Sequence, residues 1–173
     1  MSTRSRGRAR AAATVDEGVP HLVFEVGGAR CVLPLLAVLE IVGIRGLRRP
    51  PQTPPELCGV LSLRGVRVPV VDLSAALGGE ASPGTWESCA LVVDASESLG
   101  SLLAFAVDAV AGVAPLTAEQ IAAPPRLGSL LDLAVVQGLA RVDEAFLPLL
   151  SLPRVLEAAP VRAAVEAAGR AAA

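Results

Sequence analysis

The side chains able to do chemistry in this 173-residue chain are few and scattered. Cys31, Cys58 and Cys89 are its only thiols, and His21 is its only imidazole. A metal centre needs such ligands at short, repeated spacing, and no C-x-x-C pair is present. The expectation is therefore no metal, with the cysteines acting as small apolar residues in a reducing compartment. Asp72 and Asp108 each close an aliphatic run. Two carboxylates can divide acid and base work, but no nucleophile or metal cluster accompanies them, so turn-forming roles at strand ends are expected. His21 reads as an exposed residue of a first strand. No catalytic residue and no cofactor is predicted. The one chemically conspicuous position is Arg64, in the apolar run "GVLSLRGVRVPVVDL" from Gly59 to Leu73. Burying an unpaired guanidinium is costly. The chain is therefore expected to turn at Arg64-Gly65, with Gly65 supplying a positive φ in a bulged turn and Arg64 facing water.

The elements around that turn read as strands. Hydrophobic residues make up 53% of the chain and charged residues 18%, the balance of a folded protein. Aromatic residues make up only 2%, so the core must be built from Val, Leu, Ile and Ala. "HLVFEVGG" alternates as a half-buried strand, and "ARCVLPL" continues it as a hairpin. "LLAVLEIVGI" reads as a turn leading into a strand, and "RRPPQTPPE" as a stiff loop. "LVVD", "SLLAFAVD" and "FLPLLSL" are further short strands. Turn signals about every ten residues point to a barrel or sandwich. "TAEQIAA", with a capping box from Thr117 to Gln120, "LPRVLEAA" and the Ala-rich end from Val161 read as helical. Trp86 sits in a loop, where it can cover a barrel end or anchor a partner.

An internal echo organises these pieces. Gly59–Leu73 lies over Gly138–Leu152 without a gap: Gly59 meets Gly138, Pro69 meets Pro148 and Leu73 meets Leu152. A fainter echo aligns Leu35, Val38 and Ile41 with Val107, Val110 and Val113. Two related β-subdomains in tandem are expected. The copies differ at the hairpin apex, where Arg64-Gly65 is replaced by Asp143-Glu144.

In "HLVFEVGG", "AVLEIVGI", "CGVLSLRGVRVPVVDL", "FAVDAVAGV" and "LTAEQI", taken in order, the chain resembles the CheW-like coupling proteins of bacterial chemotaxis. The resemblance covers residues 21–157 and implies an all-β fold of two SH3-like five-stranded barrels, divided at roughly 21–84 and 85–157. Residues 1–20 would be a flexible basic leader and 158–173 an Ala-rich tail. It implies no enzymatic activity. It implies two partners, the regulatory domain of a cytoplasmic histidine kinase and the cytoplasmic tip of a chemoreceptor, and recruitment to receptor arrays at the inner membrane. Arg64 and Gly65 would lie on the coupling surface, with Val38, Glu40 and Ile41 near it and Gly59 at its approach. Val107, Asp108 and Val110 would line the groove between barrels where a receptor tip docks. Ser62 stands where the family usually has Asn, and Leu103 and Ala104 replace a glycine-containing segment.

Two other readings remain open at this level. A divergent CheW-like paralogue would bind a kinase regulatory domain in a non-flagellar pathway without any receptor. A small barrel enzyme or ligand binder would need a pocket with converging polar groups, against which one histidine, no tyrosine and few aromatics weigh. Residues 21–157 hold nine arginines against fourteen acids, a poor balance for nucleic acid. Arg4, Arg6, Arg8 and Arg10 crowd the leader, which is expected to solubilise rather than bind. The longest apolar region, Leu99 to Leu116, is interrupted by Asp108, Gly112 and Pro115, so no membrane insertion is predicted.

Overall fold

Short aliphatic runs separated by tight glycine turns give strands here, because β-branched side chains pack well on a pleated surface. The structure, a computed structural model, describes residues 17–82, 88–124 and 133–171. Trp86 and most of the leader lie outside them. Eleven strands are formed among the described residues: β1 (Val19–Val26), β2 (Ala29–Pro34), β3 (Glu40–Gly43), β4 (Leu57–Leu63), β5 (Val66–Asp72), β6 (Cys89–Ala95), β7 (Ser101–Val107), β8 (Ala109–Leu116), β9 (Ile121–Ala122), β10 (Val136–Val142) and β11 (Ala145–Leu150). Four helices accompany them: α1 (Leu73–Ala76), α2 (Ser96–Leu99), α3 (Leu152–Glu157) and α4 (Ala159–Ala171). The first strand begins at Val19, opposite Leu116, so the fold starts within the segment expected to be leader.

The strands make two curled sheets, of order β8-β1-β2-β11-β10-β9 and β3-β6-β7-β5-β4. The sixth strand of the first sheet, β9, has only two residues. The all-β, two-subdomain expectation holds, but the sheets do not divide at residues 84 and 85. The chain starts in the first sheet, leaves it after β2, builds the second sheet through β7, and returns at β8. Each chain repeat is a hairpin, a crossing strand and a second hairpin: β1-β2, β3, β4-β5, then β6-β7, β8, β10-β11. Each sheet takes its first hairpin from one repeat and its remaining strands from the other. In both, the hairpins meet through a parallel pair, β2 with β11 and β5 with β7. Sequence periodicity marks the repeats but carries no record of this exchange.

The echo itself is structural. β4-β5 and β10-β11 each carry a bulge at the echoed position, between Leu57 and Gly59 and between Val136 and Gly138. At both glycines a loop or strand crosses close overhead: a Cβ on Gly59 would lie 2.7 Å from the Arg48 carbonyl oxygen, and one on Gly138 2.8 Å from that of Ala122. A side chain at either site would push the covering segment away.

Alternation then sorts the core into three parts. Val68, Val70, Ala90, Val92, Ala104 and Ala106 fill the second sheet, and Val23, Val32, Ala140, Val142, Leu147 and Leu149 fill the first. The alanines suit the narrow inside of a small curled sheet. Opposite parity sends Leu22, Phe24, Leu91, Phe105 and Leu150 into a larger cluster between the sheets. Strands buried on both faces read as unbroken apolar runs, which is why "LLAFAV" shows no polar alternation. The expected tail is a packed helix: α4 lies against β4 and β5 and buries Val161, Ala164, Ala167 and Ala168. Thr117 and Gln120 do form the capping box, but the helix it opens is a single 3-10 turn, Ala118–Gln120, that runs straight into β9. His21 is buried, not exposed. It is 5% accessible, and its Nδ1 lies 2.7 Å from the Val19 carbonyl oxygen.

Burial also sets the thiol chemistry. It pushes the Cys31 thiol up to about 12. Burial, with the Asp72 carboxylate adding and the Arg49 guanidinium opposing, pushes Cys58 up to about 11. Thiolate is the reactive form. Cys31 and Cys58 are therefore expected to resist a disulfide-exchange reagent at pH 8 in the folded protein and to react fully in denaturant. A fast native reaction at either would contradict this placement.

Candidate functional site

The Arg64-Gly65 apex is a two-residue turn between Leu63 and Val66, without the bulge expected there. Both residues are left-handed, Arg64 at φ 48° and Gly65 at φ 80°. Those angles match the primed turns that fit the strand twist, and only the second is relaxed by glycine. A non-glycine residue in this region is mildly strained, so the position of the guanidinium is held at some cost.

Arg64 does not stand free. Its Nη1 lies 2.9 Å from Glu40 Oε1 and its Nη2 donates to Glu40 Oε2 at 3.1 Å, a bidentate fork. Among the described residues this is the only ion pair. Glu40 opens β3, and Arg64 follows β4; these are the two edges of the second sheet. The pair therefore joins the edges where the sheet curls on itself. It stays at the surface, with the Arg64 side chain 78% and the Glu40 side chain 28% accessible. The expected exposure of Arg64 stands, and the pairing with Glu40 is added to it. Twenty-four residues and two sheet edges separate the partners, a distance no local pattern bridges.

Exposed apolar side chains are next to the pair in sequence. Leu39 and Ile41 flank Glu40, at 56% and 44% accessible, and Val66 follows Gly65 at 47%. An apolar surface with a charged element is the composition of a docking surface. Val38 sits half-buried at its base, against the core between the sheets. Gly59 is buried beneath the proline-rich loop, which Arg49 anchors by donating to the carbonyls of Leu57 at 2.9 Å and Pro55 at 2.8 Å. It can shape a partner surface only through that loop.

The other predicted group is dispersed. Val107 is 2% accessible and belongs to the core. Val110 is half-buried on β8, opposite Phe24 at a bulge. Asp108 borders a hollow of about 460 Å³ between the sheets, walled by the β1-β2 turn and by the loop after α1. Of the two carboxylates predicted as turn formers, Asp72 acts so, capping α1 by accepting from the Ala75 N–H at 3.1 Å, whereas Asp108 accepts from the distant Gly27 N–H at 2.8 Å and ties two elements together instead. Ser82, which also bonds both, carried no signal in the sequence, being one serine in a polar loop. The echoed apex differs in kind. Asp143 and Glu144 are exposed, make no ion pair among the described residues, and precede Phe146, which is 62% accessible.

No group of three or more His, Cys, Asp or Glu side chains able to hold a metal occurs among the described residues, and no described helix is long and apolar enough to cross a membrane. Comparison with known proteins agrees with the geometry. The family model described as the CheW-like domain matches residues 20–159. The chain is 28% identical over 140 residues to the probable chemotaxis protein CheW of Rhizobium etli, covering 80% of this chain and 88% of that one. It is 30% identical over 139 residues to the chemotaxis protein CheW of Klebsiella aerogenes, covering 80% and 82%. The crystal structure of the scaffolding protein TtCheW from Thermoanaerobacter tengcongensis superposes with a TM-score of 0.71 at 27% identity, over 83% of this chain and 95% of that one. The chain thus belongs to the CheW-like family, the non-enzymatic scaffolds of chemotaxis signalling.

Proposed function

We propose that the protein couples a chemoreceptor to a cytoplasmic histidine kinase by holding both on separate surfaces. The regulatory domain of the kinase docks on the second sheet around Arg64, Gly65, Glu40, Ile41 and Val38. The cytoplasmic tip of the receptor docks between the sheets, on the side bordered by Asp108 and supported from within by Val107 and Val110. The protein then works in the cytoplasm, gathered into receptor arrays at the inner membrane. The observation that carries this reading is the bidentate Arg64–Glu40 pair, fixed at an exposed apex amid accessible Leu39, Ile41 and Val66. A fixed pair costs a partner less ordering on binding than two free side chains. The remaining guanidinium hydrogens still point away from Glu40 and are available as donors.

Arg64→Ala tests it. An exposed pair of this kind contributes about 0.2–1 kcal/mol to folding, so the melting midpoint should hardly move. Affinity for the kinase regulatory domain, measured by calorimetry, should fall about tenfold or more. Equal loss of stability and binding would make Arg64 a structural brace and sink the coupling role of this surface.

A further inference from the structure

Asp108 stands where the chain leaves the second sheet for the first, and its hydrogen bonds reach both. Its N–H donates to the Glu25 carbonyl at 2.9 Å, and its Oδ2 accepts from the Gly27 N–H at 2.8 Å, both on the β1-β2 hairpin. Its Oδ1 accepts from Ser82 Oγ at 2.6 Å. The Ser82 N–H in turn donates to Asp72 Oδ2 at 2.7 Å, and Asp72 caps α1 at the end of β5. One run of bonds therefore passes from the first sheet, through the crossover, to the second. There is no slack around it: a Cβ on Gly27 would lie 2.6 Å from Ser74 Oγ, and one on Gly79 2.8 Å from the same atom. Hydrogen bonds to carboxylates are about twice as strong as neutral ones, and here two carboxylates share one serine.

We propose that Ser82 is a positioning residue: through Asp108 and Asp72 it sets the angle between the two sheets, and with it the shape of the hollow between them. The role in binding rests on the coupling reading above; the role in orientation does not. Both are tested with the full chain carrying Ser82→Ala or Ser82→Thr. Residual dipolar couplings of backbone amides give the orientation of each sheet separately. Ser82→Ala should rotate one sheet against the other while leaving each internally unchanged, and Ser82→Thr, which keeps the hydroxyl, should restore the native angle. In the same proteins, affinity for a receptor cytoplasmic-tip fragment should fall about tenfold with alanine and recover with threonine. Affinity for the kinase regulatory domain should stay within about twofold, a split that general destabilisation would not produce. An unchanged angle in Ser82→Ala, or a shifted angle that threonine fails to correct, overturns the proposal. A shifted and corrected angle with no binding of the tip by the native protein leaves the positioning role standing and removes the receptor from the coupling reading.

Discussion

Phe105→Ala is expected to remove about 3–5 kcal/mol of folding stability, the usual cost of deleting a fully buried phenyl ring. Phe105 is 1% accessible and lies in the cluster that both sheets share, with Phe24 and Leu91. The other ring of that cluster, Phe24, is itself fully buried in place, so it is not free to refill the space. A domain of this size carries about 5–15 kcal/mol in total, so one substitution takes a large fraction of it. The melting midpoint should fall by about 6–20 °C. Because the lost contacts belong to both sheets at once, the variant should still unfold in one transition. Two resolved transitions in calorimetry would mean that the sheets are stabilised separately, contrary to the shared seam.

The second large effect is on binding. Glu40→Arg places two guanidinium groups at one sheet edge and replaces an attraction by a repulsion. Stability should change by only about 1 kcal/mol, since both side chains remain accessible to water. In the complex proposed above, however, the kinase regulatory domain would meet unpaired like charge within its contact, which costs about 2–5 kcal/mol, or at least thirtyfold in affinity. The exchange variant Glu40→Arg with Arg64→Glu rebuilds the pair in reverse and should not restore binding, because the partner is expected to take the outward hydrogens of a guanidinium at the apex. Full recovery would show that the pair only braces the sheet edges.

Local physics made much of this fold readable. Leu22, Phe24 and Val26 alternate with Val23 because each face of β1 meets a different apolar layer. Gly59 and Gly138 share a bulge because both lie under a crossing segment, so their echo in the sequence was already a statement about packing. The apex at Arg64 was readable from the cost of burying its charge. Its partner Glu40 was not, since the two meet only when the sheet curls. His21 was misread because one polar residue at the start of a strand gives no sign of what folds over it. The inward position of Val107 and the joint at Asp108 depend on where the chain crosses between sheets, and the exchange of hairpins decides that. Alternation specifies which face of a strand is buried; it does not specify which sheet the strand enters.

That exchange orders the events of synthesis. The β1-β2 hairpin is made before the rest of its sheet, yet Leu22 has no neighbour on its open side until Val113 arrives, and Val32 waits for Leu149. The second sheet, by contrast, is complete once Val107 has emerged. The second sheet can therefore set while the first is still open, and the β1-β2 hairpin is the strand pair longest exposed to aberrant pairing or to a chaperone.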